Sequence, residues 1–127
     1  MACGRFSLLS RVASFRFAFR GLLTLVRAEP NARIHVLATT TVLVLAALVE
    51  VSRPEWALLV LAIASVWTAE AMNAAVERLG DAVSADPHPL VGTAKDLAAG
   101  GVLASAIGAA VVGVLVLGPH LVTLLWP

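Results

Sequence analysis

The last thirty residues before the terminal proline set the terms for the whole chain. From Leu97 to Trp126 there is no formal charge except a possible one on His120. A run of about 20 apolar residues is enough to cross a bilayer as a helix. Two shorter uncharged runs precede it, Ile34 to Val49 and Trp56 to Ala69. In lipid every backbone N–H and C=O must be satisfied within its own segment, so such runs must be helical. With 60% hydrophobic and 13% charged residues and a mean hydropathy of +0.93, the 127-residue chain is an integral membrane protein with no room for a separate soluble domain. It reads as one all-α domain over 1–127.

The boundaries come from charge and proline. Residues 5–28 read as a helix with Arg5, Arg16, Arg20 and Arg27 within an arc of roughly 60° and Phe6, Phe15, Phe17, Leu22 and Leu25 mostly elsewhere. Leu9 and Leu23 intrude on the basic stripe and Arg11 lies opposite it. This is the pattern of a helix lying on a membrane surface, its arginines toward anionic headgroups. Pro30 suits the first turn of a new helix, which places Glu29 at a positive helix N-terminus with Arg33 in reach as an ion-pair partner. The first span is expected over 34–50. Ser52 and Glu55 form a capping-box pattern with Pro54 inside it, and Trp56 is placed as an interfacial anchor.

The second span is expected over 55–80, continuing into the water interface. Residues 78–91, with Pro87-His88-Pro89, read as an interfacial loop. The third span is expected over 94–126, where Gly100, Ala104 and Gly108 form a small-residue face suited to close helix packing. Six of the nine basic residues lie in the first 33 positions. The N-terminus, the 78–96 segment and the acids near it are therefore expected on the cytosolic side.

Cys3 alone excludes a disulfide framework and any cysteine-based metal site. Arginines interrupt the early apolar residues too often for a secretory signal. A net charge of +1 gives no reason to expect a nucleic-acid partner.

One stretch carries polar groups where lipid makes them costly. Glu70, Asn73 and Glu77 fall at about 0°, 300° and 340° around a helix, so they share one narrow face. Such groups either hydrogen-bond to neighbouring helices as glue or mark a site. Glu70 lies about 21 Å along the axis from Trp56, toward the inner edge of a hydrocarbon core of about 30 Å. Glu77, roughly 10 Å further, reaches water. Glu70 then has the profile of a general base at the level of a lipid hydroxyl. Mg²⁺ needs only one or two carboxylates when waters and phosphates complete its shell, a role that Glu29 and Glu77 fit, with Asn73 as a neutral helper. Lys95, the one lysine, suits a phosphate. Of the histidines, His35 and His88 read as interfacial, and His120 has no visible partner. There is no HExxH or cysteine pair for zinc.

The run Glu29-Pro30-Asn31-Ala32-Arg33-Ile34-His35, then Glu55-Trp56, Glu70-Ala71-Met72-Asn73-Ala74-Ala75-Val76-Glu77 and Ala94-Lys95-Asp96-Leu97-Ala98-Ala99-Gly100, resembles the bacterial diacylglycerol kinase and undecaprenol kinase family. The resemblance covers residues 15 to about 115, including the Phe15, Ala18 and Gly21 spacing. It implies an ATP-dependent lipid kinase of the bacterial cytoplasmic membrane, homotrimeric, with active sites shared between subunits. It also implies Glu70 as general base, Glu29 and Glu77 on Mg²⁺, Asn73 supporting the site, and Lys95 and Asp96 on the nucleotide. The Glu-x-Asn-x-Arg-Ile-His form looks like the subgroup that prefers undecaprenol. Diacylglycerol is the alternative substrate, and a non-catalytic membrane scaffold the alternative from another class. Ala74 stands where many members have threonine or serine, and Gly80 replaces a commoner valine.

Overall fold

The computed structural model describes residues 8–84 and 86–126, with side chains from residue 14 onward. Cys3, Arg5 and Phe6 lie outside the described residues, as do the side chains of Leu9 and Arg11. Four helices follow one another: α1 (Leu8–Ala28), α2 (Pro30–Leu48), α3 (Arg53–Val83) and α4 (Pro89–Leu125). The last three are long and apolar enough to cross a membrane. They run up, down and up, so α2 starts, α3 ends and α4 starts at the end of the bundle that α1 joins. The 31 residues of α3 span about 46 Å, more than a hydrocarbon core of about 30 Å.

Each boundary has a local cause. Glu29 is extended (φ −99°, ψ 120°) and Pro30 opens α2, which therefore begins four residues before Ile34. The expected partner of Glu29 differs from the one observed. Arg33 turns back to donate to the carbonyls of Arg27 (2.7 Å) and Val26 (3.4 Å), closing acceptors that the end of α1 leaves open. Glu29 instead takes Arg78 of α3 at 2.8 Å.

The α2–α3 turn is a Schellman closure. Val51 N–H donates to Ala46 O (3.2 Å) and Glu50 N–H to Ala47 O (3.4 Å), with Glu50 left-handed at φ 52°. Val51 and Ala46 are buried together, the apolar contact that accompanies this motif. At the start of α3 the Glu55 carboxylate reaches back to the Ser52 N–H, as the capping pattern predicts, and the Ser52 hydroxyl donates to the same oxygen, both at 2.7 Å.

The loop expected over 78–91 is far shorter in the structure. Nothing before Pro87 breaks a helix, so α3 runs on through Val83. Ser84 closes on Gly80 O, and α4 starts at Pro89 with the His88 ring accepting from Leu90 N–H.

α3 and α4 form the principal packed pair, while α2 touches both sparingly. Two apolar clusters tie the bundle. At the end away from α1, Ala46, Val51, Leu59, Val116 and Leu117 are buried, with Trp56 packed against them. At the α1 end, Leu25, Ala32 and Ala74 are buried beside Trp67 and Ala71. Gly100, Ala104 and Gly108 are all exposed, so their face is not used within the protomer.

Candidate active site

Between α2, α3 and α4, at the α1 end, lies a cavity of about 270 Å³ lined in part by Asn31, His35, Glu70, Asn73 and Ala106. The helical face drawn from sequence closes its α3 wall. Glu70 is only 2% exposed and Asn73 9%. Asn73 Nδ2 donates to Glu77 Oε1 at 3.2 Å, a contact of i,i+4 neighbours. Among the described residues, two buried oxygens have no hydrogen-bond partner, Glu70 Oε2 and Asn73 Oδ1.

Leaving a buried polar atom unpaired costs about 1–3 kcal/mol, more if charged. Native interiors rarely tolerate two side by side without a reason. Interhelical glue is a poor account of these residues, because glue consists of bonds that are made. Buried oxygen atoms without a partner among the described residues suit a ligand that supplies the missing bond.

The nearest cationic candidate is the His35 ring, with Nε2 at 3.9 Å from Glu70 Oε2. Trp67 meets that ring edge-on, centroids 6.5 Å apart at 64°, and its own Nε1–H donates to Thr39 Oγ1 at 3.1 Å. His35, which reads from sequence as an interfacial residue, thus belongs to the site.

Glu29 reaches the same end of the bundle through its bond to Arg78. Lys95 donates to Asp81 Oδ1. Gly80 makes that reach possible, for a Cβ built there would lie 2.9 Å from Lys95 Cε and from Val91 Cγ1. Asp96 is exposed one residue on. The structure therefore unites Glu70, Asn73 and Glu77 directly. Glu29 and Lys95 come to the same end, each already holding an opposite charge.

Sequence reading missed Arg78 and Asp81 as those partners. They lie 49 and 14 residues from the groups they pair with, so no local spacing shows them. His120, which has no visible partner in the sequence, is bonded across the far end to Glu55, Nε2 to Oε1 at 3.0 Å.

The donor chemistry bears on a metal. Among the described residues no three His, Cys, Asp or Glu side chains converge as a ready-made metal cluster. A shell built wholly from protein is therefore absent there. Mg²⁺ does not require one, since it keeps waters and takes phosphate oxygens beside one or two carboxylates. Glu29, Glu77 and the unpaired Asn73 Oδ1 are the hard oxygen donors that fit it.

Three membrane-length helices with a buried carboxylate and a buried amide lining one cavity, and a lysine and arginine at the same end, define a small polytopic membrane protein with chemistry at one interface. The family model of prokaryotic diacylglycerol kinase matches residues 16–117, and the chain belongs to that family of membrane lipid kinases. It is 37% identical over 108 residues to the undecaprenol kinase of Bacillus subtilis, covering 85% of this chain and 88% of that one. It is 36% identical over 115 residues to a diacylglycerol kinase of Synechocystis, covering 90% of this chain and 66% of the relative. A diacylglycerol kinase of Pseudomonas aeruginosa is 35% identical over 81 residues, with 64% and 66% covered. Kinase membership makes ATP the co-substrate.

Proposed function

We propose that the chain phosphorylates the hydroxyl of undecaprenol at the cytosolic face of a bacterial inner membrane. The observation that carries the mechanism is the buried Glu70, its Oε2 unpartnered among the described residues, lining a cavity together with Asn73. The lipid alcohol enters that cavity from the membrane. Glu70 takes the proton from its hydroxyl, the alcohol oxygen bonds to the γ-phosphorus of ATP, and the bridging P–O bond breaks to release ADP. The proton leaves Glu70 for water in the next stage of the cycle.

Glu29 and Glu77 would hold Mg²⁺, with Asn73 Oδ1 in support. When bound, the ion neutralises phosphate oxygens and so favours attack by an electron-rich nucleophile. Lys95, on exchanging Asp81 for phosphate, and Asp96 would hold the nucleotide. The exposed Gly100, Ala104 and Gly108 face supports assembly into a trimer whose subunits complete one another's sites, because close packing on such a face is otherwise unused.

The undecaprenol reading rests on the relative that this chain spans almost end to end, whereas it covers only 66% of each diacylglycerol kinase relative. Purified protein in mixed micelles, given radiolabelled ATP and Mg²⁺, is expected to label undecaprenol with a higher kcat/KM than a diacylglycerol. The reverse order would replace the substrate, and crosslinking to a species other than a trimer would replace the assembly.

A further inference from the structure

Beside the polar cavity lies a larger apolar cleft of about 500 Å³, running between α2, α3 and α4 past Thr39, Leu59, Ile63 and Gly113. His35 on α2 and Ala106 on α4 line both spaces. The imidazole therefore sits at the junction between a lipid-like groove and the buried carboxylate. Its side chain is 18% exposed. Trp67 at its edge and the Trp67–Thr39 bond behind it fix the plane of the ring.

The gap between His35 Nε2 and Glu70 Oε2, 3.9 Å, is too wide for a direct hydrogen bond. It is the right width for one intervening oxygen. An oxygen about 2.8 Å from both atoms would complete a triangle on that 3.9 Å base, with an angle close to 90° at its apex; Oε2 is closed off from the cavity, so the carboxylate must turn toward the space that Glu70 and His35 both line to meet it. Such an oxygen would donate its proton to Glu70 Oε2 and accept from an Nε2–H of His35. Both requirements are met by a hydroxyl group, which carries one proton and free lone pairs. Glu77 on the same helical face and Glu29 at the same end of the bundle offer only acceptors when ionised, so neither can replace the imidazole as the donor.

We infer that His35 is the hydroxyl-holding residue of the site: with Glu70 it grips the single hydroxyl of a lipid alcohol whose hydrocarbon lies in the apolar cleft. This deepens the proposed function and rests on Glu70 being the base. The bond made to the oxygen of the alcohol persists as its proton leaves and negative charge grows, so it aids the reaction as well as binding. His35 also turns the hydroxyl so that one lone pair is free for phosphorus.

The test compares His35→Phe, which keeps a ring against Trp67 and removes the N–H, with His35→Gln, which keeps a donor. Both are assayed as full-length protein in mixed micelles containing undecaprenol, beside Glu70→Gln. Loss of one hydrogen bond corresponds to about a three- to tenfold effect. The Phe variant is expected to lose that much in kcat/KM for the lipid with the KM for MgATP unchanged, and the Gln variant to recover most of it. Should Phe disturb the fold, as read by thermal unfolding in detergent, His35→Leu takes its place. Wild-type kinetics in the Phe or Leu variant, with Glu70→Gln inactive, would overturn the role of His35 and leave Glu70 as base. Equal losses in the Gln and Phe variants, extending to the KM for MgATP, would reduce His35 to a packing residue. Full turnover by Glu70→Gln would remove the base and the inference together.

Discussion

Each end of the bundle carries a histidine and a glutamate facing one another from different helices. At the end away from α1, Glu55 accepts from the Ser52 N–H, the Ser52 hydroxyl and the His120 ring, which is within bonding distance at 3.0 Å. At the α1 end, Glu70 is almost completely buried, one of its oxygens has no partner, and the His35 ring stands off at 3.9 Å. The residue types are the same and the packing differs. The first carboxylate has been given every bond it needs and holds α3 against α4. The second is denied them, and that denial keeps it available to a substrate. A buried polar group reads as structure when its bonds are made and as function when the fold holds it apart from any partner.

Substituting one end at a time should separate these roles. The largest effect is expected from Glu70→Gln, which keeps shape but not basicity. It should lower kcat by about 10²–10⁴-fold in the radiolabel assay, the range for loss of a general base. Glu55→Gln, its counterpart, should leave kcat unchanged and lower the thermal midpoint in detergent. Comparable catalytic losses in the two would erase the distinction between the ends. Chelation by EDTA should stop turnover, and added Mg²⁺ should restore it, without altering the unfolding midpoint, because no described helix contact depends on the ion. Asn73→Ala, which removes the unpaired Oδ1, should raise the Mg²⁺ concentration for half-maximal activity by about 10–100-fold. The smallest effect belongs to the far end. Glu50→Gly relieves a left-handed residue at φ 52° and should raise stability by about 1 kcal/mol in denaturant titrations, with kinetics unaltered.

The readable and unreadable parts of the chain follow from distance along it. The spans could be found from sequence because lipid leaves an apolar run only the helix. The face of Glu70, Asn73 and Glu77 could be found because 100° per residue is a local rule, and the Asn73–Glu77 bond obeys it. The same local rule offers Arg33 to Glu29, yet Arg33 instead donates to the last carbonyls of α1. The partner that Glu29 takes, Arg78, is set by how α3 docks, and no spacing of three or four encodes that. His120 illustrates the limit most clearly. Its partner lies 65 residues away, and only the antiparallel packing of α3 and α4 brings the two together. The loop read over 78–91 from Pro87-His88-Pro89 is shorter for a simpler reason: a proline disfavours helix at its own position and just before it, and leaves the residues from Arg78 to Val83 able to continue α3.

Gly80 carries a consequence for how this sequence can change. Its missing side chain is the space in which Lys95 Cε and Val91 Cγ1 lie, each 2.9 Å from where a Cβ would be. Positions 80, 91 and 95 are therefore three claimants on one volume, and none is free to vary alone. A larger residue at 80 must be matched by a smaller one at 91 or by a lysine that follows another course. In a double-mutant cycle, Gly80→Ala and Val91→Ala should be non-additive, the second relieving one of the two contacts that the first creates. Gly80, Val91 and Lys95 thus share one volume as a linked set of side chains.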